Sequence, residues 1–366
     1  MSPFVRRLSL RCLVLSLLLC GASSVAAAEM VWIDLHQLGV EGQAWKEVKA
    51  PYDRLPAKAE GVVRDPVWSL SRHSAGMAAR FVTDATEIHA RWTLTSPNLA
   101  MSHMPATGVS GVDLYVRTDE GWRWLAVGRP SAQTNSVTLV SGLSPGVREY
   151  LLYLPLYNGV SSVEVGVPAA NVIKKAPPRP KHLAKPILFW GTSITHGACA
   201  SRPGTTHSAI LGRRFDRPII NLGFSGNGKM EPEVAQLAAE LDPAVYVIDC
   251  LPNMNASEVE QRVEGLVEIL RKAHPTTPIV LAEDRTYANA FLIPSKAERN
   301  ATSRVALRAG FERLQKKGVK HLYYLPGDTQ LGADGDDTVD SSHPNDLGFM
   351  RMADAFDKVL RPLLAP

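Results

Sequence analysis

Three residues in the second half of the chain could together perform nucleophilic chemistry. A serine hydroxyl is a poor nucleophile at neutral pH and needs a base, usually histidine, within about 2.6–3.2 Å. Ser193 lies in Gly191-Thr-Ser-Ile-Thr195, and His343 lies in Asp340-Ser-Ser-His-Pro344. Asp340, three residues before His343, could hold one imidazole nitrogen and stabilise the imidazolium that forms when the serine loses its proton. We therefore predict Ser193 as nucleophile, His343 as base and Asp340 as its carboxylate partner.

The same region contains donors for the negative charge that develops on an attacked carbonyl. The backbone N–H groups of Ser193 and Gly226 and the side-chain amide of Asn253 could form such an oxyanion hole. Each residue also has a structural explanation: Ser193 or Asn253 could cap a turn, and Gly226 could serve only as a hinge. The Asp340–His343 string could be a surface loop. Their order along the chain, each after a predicted strand, favours the catalytic interpretation.

Further residues near Ser193 are weaker candidates. Thr192, His196 and Arg202 could contact the substrate, although Arg202 could equally form a structural salt bridge. His73 could lie between two domains, where a buried packing histidine is the simpler interpretation. Cys199 and Cys250 follow neighbouring predicted strands, so they could form a disulfide or remain two buried free thiols.

Two other stretches match known functional motifs in part, but their sequence context does not support the corresponding chemistry. Gly142-Leu-Ser-Pro-Gly146 matches G-x-S-x-G, but that motif must join a strand to a helix, whereas here strand-like residues follow. Asp334-Gly-Asp-Asp337 lacks the spaced ligands and the distal glutamate of a calcium loop, so a solvated acidic turn is the better interpretation. We expect neither a metal nor another cofactor.

The elements that would position these residues alternate between strands and helices. Parallel strands that are buried on both faces read as continuous apolar runs, and ligands bind at their carboxyl ends. An amphipathic helix is predicted from Ser257 to Ala273, with a capping box at Ser257 and Glu260. Another helix should end before Gly318, and a last one should run from about Asn345 to Leu360. The predicted strands are Pro186–Trp190, Pro218–Leu222, Ala244–Ile248, Pro278–Ala282 and Lys320–Leu325.

The first half of the chain has a different pattern. Short runs alternate with period two and are separated by turn residues, as in Glu87–Leu94 and Trp122–Val127, which predicts antiparallel strands in an all-β jelly roll or sandwich. A basic, proline-rich stretch around Lys174–His182 predicts a semi-rigid connector. We therefore predict a β-sandwich domain over 29–172, a linker over 173–185 and a second domain over 186–366.

The first 28 residues have the features of a secretory signal. Arg6, Arg7 and Arg11 precede an apolar run from Leu13 to Leu19, and small residues lead to Ala28, after which cleavage is expected. Lipid anchoring at Cys20 is a less favoured alternative. Removal of three arginines changes the 40 basic and 36 acidic residues to 37 and 36, which gives no indication of a nucleic-acid partner. We expect a secreted or periplasmic protein without stable membrane insertion.

The four blocks around Ser193, Gly226, Asn253 and His343 resemble those of the SGNH, or GDSL-like, hydrolase superfamily. Thr192 stands where that family usually has an acid, and Leu-Pro-Asn-Met replaces the usual Gly-x-Asn-Asp. Gly111-Val-Asp-Leu-Tyr115 resembles the GxDLY motif of an amino-terminal domain found before some of these hydrolases. The resemblance implies a flavodoxin-like, three-layer α/β/α domain with five parallel strands, preceded by the all-β domain.

The resemblance also implies a serine esterase that forms an acyl-enzyme. Export and the β domain favour acetyl or other short acyl esters of carbohydrates, so the expected partner is a small-molecule or oligosaccharide ester. A lipase, lysophospholipase or thioesterase of the same fold remains an alternative, as does a non-catalytic carbohydrate-binding protein with a vestigial triad. The sequence does not indicate the oligomeric state.

Overall fold

The computed structural model describes residues 29–364. The predicted signal segment and its Cys20 lie outside the described residues. Among the helices of the described part of the chain, none combines the length and apolar character needed to cross a membrane.

The first half of the described chain forms two antiparallel sheets, which confirms the predicted sandwich. One sheet has the strand order β1-β9-β4-β7, and the other has β10-β3-β8-β5-β6, with β2 beside β3. In β4, the side chains of Ile88, Ala90, Trp92 and Leu94 are buried, whereas the intervening residues are partly or fully exposed, as the period-two pattern requires. The strands are β1 Met30–Asp34, β2 Val40–Glu41, β3 Ala78–Thr83, β4 Ile88–Leu94, β5 Val112–Thr118, β6 Gly121–Gly128, β7 Thr134–Val140, β8 Arg148–Tyr153, β9 Val160–Pro168 and β10 Ile173–Lys175.

The second half contains a five-stranded sheet in which every pairing is parallel. Its order, β12-β11-β13-β14-β15, is that of a flavodoxin-like fold, with the first strand of the sheet second from one edge. The five strands that the sequence predicted are therefore confirmed. They are β11 Ile187–Gly191, β12 Ile219–Gly223, β13 Val245–Asp249, β14 Ile279–Ala282 and β15 Leu322–Leu325.

Helices cover both faces of the parallel sheet and complete the three layers. Leu188 and Trp190 of β11 pack into one core with α7, α8 and α9, whereas Ile187 and Phe189 pack into another with α6 and α10. The helices are α1 Leu35–Leu38, α2 Asp65–Ser71, α3 Ala106–Val109, α4 Lys181–Ala184, α5 Ser193–His196, α6 His207–Phe215, α7 Pro232–Ala238, α8 Ala256–Ala273, α9 Pro294–Lys316 and α10 Asp346–Leu364. Short 3₁₀ turns lie at Ala57–Ala59, Pro203–Thr205, Leu251–Asn253 and Gly327–Thr329.

The start of α8 differs from its prediction. Asn255, not Ser257, accepts from the backbone N–H of Glu258, and the Glu258 carboxylate accepts from the backbone N–H of Asn255. The capping box is therefore Asn255 with Glu258, because the extended cap residue lies two positions earlier than the sequence pattern suggested. The predicted pair of Ser257 and Glu260 lies inside the helix.

The two halves of the chain are joined by more than a connector. The segment from Trp45 to Val67 packs its apolar side chains into the core of the parallel sheet, although it precedes most of the antiparallel strands. Residues 173–175, which the sequence placed in the linker, form β10 and pair with β3. The first contact packs part of the amino-terminal half against the parallel sheet, and the second extends an antiparallel sheet into the predicted linker.

Candidate active site

The structure brings Ser193, His343 and Asp340 into one hydrogen-bonded chain at the carboxyl edge of the parallel sheet. Ser193 begins α5 directly after β11, and the loop with His343 follows β15. Ser193 Oγ lies 2.8 Å from His343 Nε2, and His343 Nδ1 lies 2.7 Å from Asp340 Oδ2. Because an ionised carboxylate can only accept, Nδ1 carries the proton and the Nε2 lone pair faces the serine hydroxyl. This is the arrangement that a general base requires.

Asp340 is stabilised as a carboxylate by the backbone of its own loop. Its Oδ1 accepts from the backbone N–H groups of Ser342 at 3.0 Å and His343 at 2.8 Å. Burial opposes the charged form, but these bonds and that from the His343 ring outweigh it and lower the pKa of Asp340 to about 2. The carboxylate is therefore ionised at any pH at which the histidine could act as a base.

The loop between Asp340 and His343 is held by a buried cation. Arg285 is 1% exposed, and it donates from Nε to the Ser342 carbonyl at 2.7 Å and from a terminal nitrogen to the Ser342 hydroxyl at 2.8 Å. The same guanidinium donates to Asp284 Oδ1, and Asp284 Oδ2 accepts from Asn300 at 3.2 Å. Arg285 was not predicted from the sequence, although the three charged residues 283–285 directly follow a buried strand, where ligand-binding loops lie.

The first two loops approach each other so closely that glycine is required. A Cβ at Gly228 would lie 1.9 Å from the Gly191 carbonyl oxygen, and one at Gly191 would lie 2.1 Å from Thr195 Oγ1. Thr195 Oγ1 in turn donates to Asp249 Oδ2 at 3.1 Å. Burial raises the pKa of Asp249 to about 7, against the opposing effects of Arg285 and Thr195. These contacts fix the loop that carries Ser193.

The three predicted oxyanion donors lie after three neighbouring strands of the parallel sheet, with Ser193 after β11, Gly226 after β12 and Asn253 after β13. Gly226 has φ +68°, and neither its backbone N–H nor that of Ser193 has an acceptor within residues 29–364. Asn253 is half-buried in the turn after β13. In the amide orientation that satisfies its neighbours, Oδ1 accepts from the backbone N–H groups of Asn227 at 3.0 Å and Gly228 at 3.1 Å. That orientation directs Nδ2 away from these donors, so it can donate elsewhere.

Two of the predicted substrate contacts are wrong. Thr192 is fully buried, and its hydroxyl accepts from the backbone N–H of Ile194 at the start of α5. His196 is also fully buried; its ring stacks on Tyr157 at 4.1 Å, and its Nε2 lies 3.3 Å from His73 Nδ1. Thr192 therefore caps the short helix that begins at Ser193, whereas His196 lies in the contact with the β domain.

Arg202 forms a structural salt bridge, which was the alternative given from the sequence to a role in substrate binding. It donates to Asp113 Oδ2 at 2.8 Å and to the Tyr115 hydroxyl at 2.6 Å. Asp113 is fully buried and also accepts from the Gly204 N–H at 2.8 Å, and a Cβ on Gly204 would meet the Tyr115 ring at 2.3 Å. The Gly111–Tyr115 motif thus joins the β domain to the loop that follows Ser193.

A buried arginine connects the same domain to the second loop. Arg54, 2% exposed, donates to the backbone oxygens of Leu70, His73, Asn221 and Gly223, at 2.7–3.0 Å. Burial, followed by the Arg54 charge, lowers the pKa of His73 to about 4 and keeps the pKa of His196 well below its usual value. His73 lies between the domains, as proposed from the sequence. The role of Arg54 was not predicted from the sequence.

The two cysteines are buried free thiols, which leaves the disulfide alternative without support in the structure. Burial, followed by the charge of Asp340, raises the pKa of Cys199 to about 12, and burial raises that of Cys250 well above its usual value. Neither sulfur is therefore a reactive thiolate at neutral pH.

The two other motifs have structural roles. Gly142–Gly146 joins β7 to β8 as a turn between strands. Asp334 and Asp337 both pair with Arg351, and Asp337 is 1% exposed and accepts from the Gly332 N–H. An arginine therefore holds the acidic turn. The turn was expected to be solvated, and this expectation is wrong for Asp337, which is buried. In residues 29–364 no cluster of acidic, histidine or cysteine side chains could hold a metal ion.

Two family models match the chain, one for each half. The model described as the GDSL-like lipase/acylhydrolase family matches residues 184–361. The GxDLY model, described as the N-terminus of Esterase_SGNH_hydro-type, matches residues 30–173. No curated protein matches this chain.

Solved structures resemble the chain over most of its length. A GDSL-like lipase from Bacteroides ovatus is 34% identical, with 92% of this chain and 98% of that chain covered and a TM-score of 0.86. An acetyl xylan esterase from Butyrivibrio proteoclasticus is 10% identical, with 92% and 98% covered and a TM-score of 0.58. A family two carbohydrate esterase from Clostridium thermocellum, solved with cellohexaose, is 16% identical, with 79% and 93% covered and a TM-score of 0.56. The last two likenesses concern the fold alone.

Proposed function

The chain belongs to the GDSL-like lipase/acylhydrolase family and is a carboxylic-ester hydrolase, and we propose that it removes acetyl or other short acyl groups from carbohydrates through an acyl-enzyme on Ser193. The observation that carries the catalytic part is the hydrogen-bonded chain from Ser193 through His343 to Asp340. With its Nε2 lone pair facing the hydroxyl, His343 can accept the proton as Ser193 Oγ attacks the ester carbonyl.

The remaining steps follow from the same geometry. The backbone N–H groups of Ser193 and Gly226 and the Asn253 amide would donate to the carbonyl oxygen as it becomes negative. The His343 imidazolium, stabilised by Asp340, would then protonate the leaving alcohol oxygen, and the C–O bond would break to give acyl-Ser193. Water, deprotonated by His343, would attack this ester and release the carboxylate.

The carbohydrate part of the proposal is supported by the setting of the site. The expected signal segment would place the enzyme outside the cytoplasm, in the periplasm or medium, where polysaccharide esters occur. The two carbohydrate esterases described above share the fold of both halves. The loops at the site carry half-buried polar residues, including Ser225 and Asn227.

One observation favours a second candidate, hydrolysis of long-chain esters. Phe291 is 82% exposed and Leu292 is 75% exposed, in the loop that precedes α9. That loop adjoins the catalytic loop, since the Ala288 N–H donates to the Ser341 carbonyl at 2.9 Å. Two adjacent exposed apolar side chains near a catalytic loop could contact an acyl chain.

A panel of esters tests these alternatives. Purified protein would be assayed on 4-nitrophenyl esters of two to twelve carbons and on acetylated xylo-oligosaccharides. The proposal predicts the highest kcat/KM for the acetyl esters and release of acetate from the oligosaccharides. Higher kcat/KM for long chains, reduced in Phe291→Ser and Leu292→Ser but not in Val305→Ser, would favour lipid esters instead. Val305 is an exposed apolar residue of α9 and serves as the matched control.

A further inference from the structure

A tight turn of the β domain reaches the catalytic histidine. Residues 101–104 form a turn closed by two backbone bonds, from the Met101 N–H to the Met104 carbonyl at 3.0 Å and from the Met104 N–H to the Met101 carbonyl at 3.1 Å. The turn lies between β4 and α3. We call residues 101–104 the rim turn.

The rim turn is fixed against the nucleophile loop. Met104 is 2% exposed and packs in the core that contains Ile194 and Ala200. Thr107 Oγ1 donates to the Ser201 carbonyl at 2.6 Å, and a Cβ at Gly108 would lie 2.2 Å from the Ala200 carbonyl oxygen. Close backbone contact and a buried side chain therefore hold the turn in one position relative to Ser193.

His103 is an exposed side chain at the tip of this turn. Its ring centroid lies 6.2 Å from that of His343, with an interplanar angle of 44°. Both nitrogens of His343 are already occupied by Ser193 and Asp340, so the two imidazoles do not hydrogen-bond to each other. In the described part of the chain, Nε2 of His103 has no partner, and Nδ1 has only a 3.5 Å contact with Ser102 Oγ.

The position of His103 relative to the reaction indicates which part of a substrate it would meet. His343 protonates the leaving alcohol oxygen, so the alcohol must lie on the His343 side of the scissile bond. The oxyanion donors, at Gly226 and Asn253, belong to other loops. A residue beside the His343 ring is therefore placed to contact the alcohol and not the acyl group.

We propose that His103 of the β domain binds the alcohol part of the substrate, by a hydrogen bond to a hydroxyl close to the ester. This inference rests on the proposed function, because a sugar or another polyol supplies such a hydroxyl. A neutral imidazole can donate through one nitrogen and accept through the other, which matches a hydroxyl. The β domain is then part of the substrate-binding site as well as a support for the nucleophile loop.

Three acetyl esters that differ only in the alcohol test the proposal: acetylated xylo-oligosaccharide, 1-monoacetylglycerol and 4-nitrophenyl acetate. All three give the same acetyl-enzyme, so a change confined to some of them must arise at the alcohol. We expect His103→Ala to lower kcat/KM for the two hydroxylated esters by about tenfold, mainly through KM, with 4-nitrophenyl acetate changed less than about twofold. His103→Gln, which keeps a donor and an acceptor, should restore part of the loss. His182→Ala, at an exposed histidine of the connector, is the matched control.

Several outcomes would overturn this assignment. An equal loss on all three esters would mean that His103 acts through His343, and unchanged rates on all three would mean that it does not contact substrate. If the wild-type protein cleaves the glycerol ester but not the oligosaccharide, the carbohydrate proposal fails, while a selective His103 effect on the glycerol ester still supports the contact. If the wild-type protein hydrolyses only 4-nitrophenyl acetate among the three esters, both the carbohydrate proposal and the proposed His103 contact are overturned.

Discussion

The guanidinium of Arg285 donates to both the carbonyl and the hydroxyl of Ser342, the residue directly before the catalytic histidine. Ser342 also donates its backbone N–H to Asp340, so one buried side chain fixes the position of the carboxylate and the imidazole together. Arg285 is itself buried, with 1% of its surface exposed. It is a positioning residue, which acts through the geometry of the loop.

Replacing Arg285 with lysine should therefore lower kcat more than it raises KM. Lysine keeps the charge beside Asp284 but cannot donate through a planar fork, so the catalytic loop loses one of its two bonds. We expect a loss of about tenfold or more in kcat and less than about twofold in KM, measured on 4-nitrophenyl acetate. Ser342→Ala keeps the backbone bond and should have a smaller effect. An unchanged kcat in folded Arg285→Lys would contradict the positioning role.

Ser193→Ala should abolish ester hydrolysis and leave the fold intact. The hydroxyl that would form the acyl-enzyme is removed, whereas the packing of the loop depends on neighbouring glycines and buried residues. Activity assays, thermal melting and covalent labelling of the wild type with an organophosphonate provide the check. Ser144→Ala, in the turn between β7 and β8, should leave the esterase activity almost unchanged. Full activity in well-folded Ser193→Ala would mean that another residue performs the hydrolysis. A wild-type protein without activity and without an adduct on Ser193 would leave the non-catalytic binding protein as the better hypothesis.

Asn253→Ala should reduce kcat by about a hundredfold with a modest change in KM. Its amide would bond chiefly to the oxyanion, so the bond is gained in the transition state and contributes little to substrate binding. Steady-state kinetics on one acetyl ester separate the two parameters. A large rise in KM at constant kcat would instead identify Asn253 as a substrate-binding residue.

The ion pair between Arg202 and Asp113 should affect stability more than catalysis. Asp113 is fully buried, and burial raises its pKa despite the opposing effect of Arg202. Arg202→Met should destabilise the protein by about 2–4 kcal/mol, because it leaves the carboxylate without a charged partner. The loss should be greater at pH 8 than at pH 5, since the unpaired carboxyl takes up a proton as the pH falls. Denaturant unfolding of Arg202→Met, Asp113→Asn and the double variant measures the coupling; additive effects would exclude it.

Asp340 should contribute to acid unfolding in a defined range of pH. Its folded pKa of about 2 lies below the ordinary value of 3.8, so the folded state favours the carboxylate. The contribution of the carboxylate to the free energy of unfolding is complete at pH values above the ordinary pKa of 3.8. It is lost as the pH falls towards the folded pKa of about 2. The stability difference between wild type and Asp340→Asn should therefore shrink as the pH falls from 5 to 2. A difference that stays constant over this range would show that the carboxylate is not stabilised by its loop.

The sequence by itself determined the five strands and the residues that follow them, because periodicity and turn residues are local. Ser193, Gly226, Asn253 and His343 each follow a strand, and the carboxyl ends of parallel strands lie at one edge of a sheet. Their proximity therefore follows once the strand order is known. The GxDLY motif could likewise be recognised from a run of five residues. Its structural role could not be predicted from that run.

Only the tertiary structure decided which polar residues lie beside the predicted catalytic residues and which contact the other domain. Arg202 pairs with Asp113, 89 positions earlier, and His196 meets His73, 123 positions earlier. No spacing rule in the chain predicts such pairs, since they depend on how the β domain is placed against the sheet. The same placement brings His103 beside His343. Local chemistry along the chain therefore indicates the reaction, whereas contacts between distant segments decide the environment of each side chain.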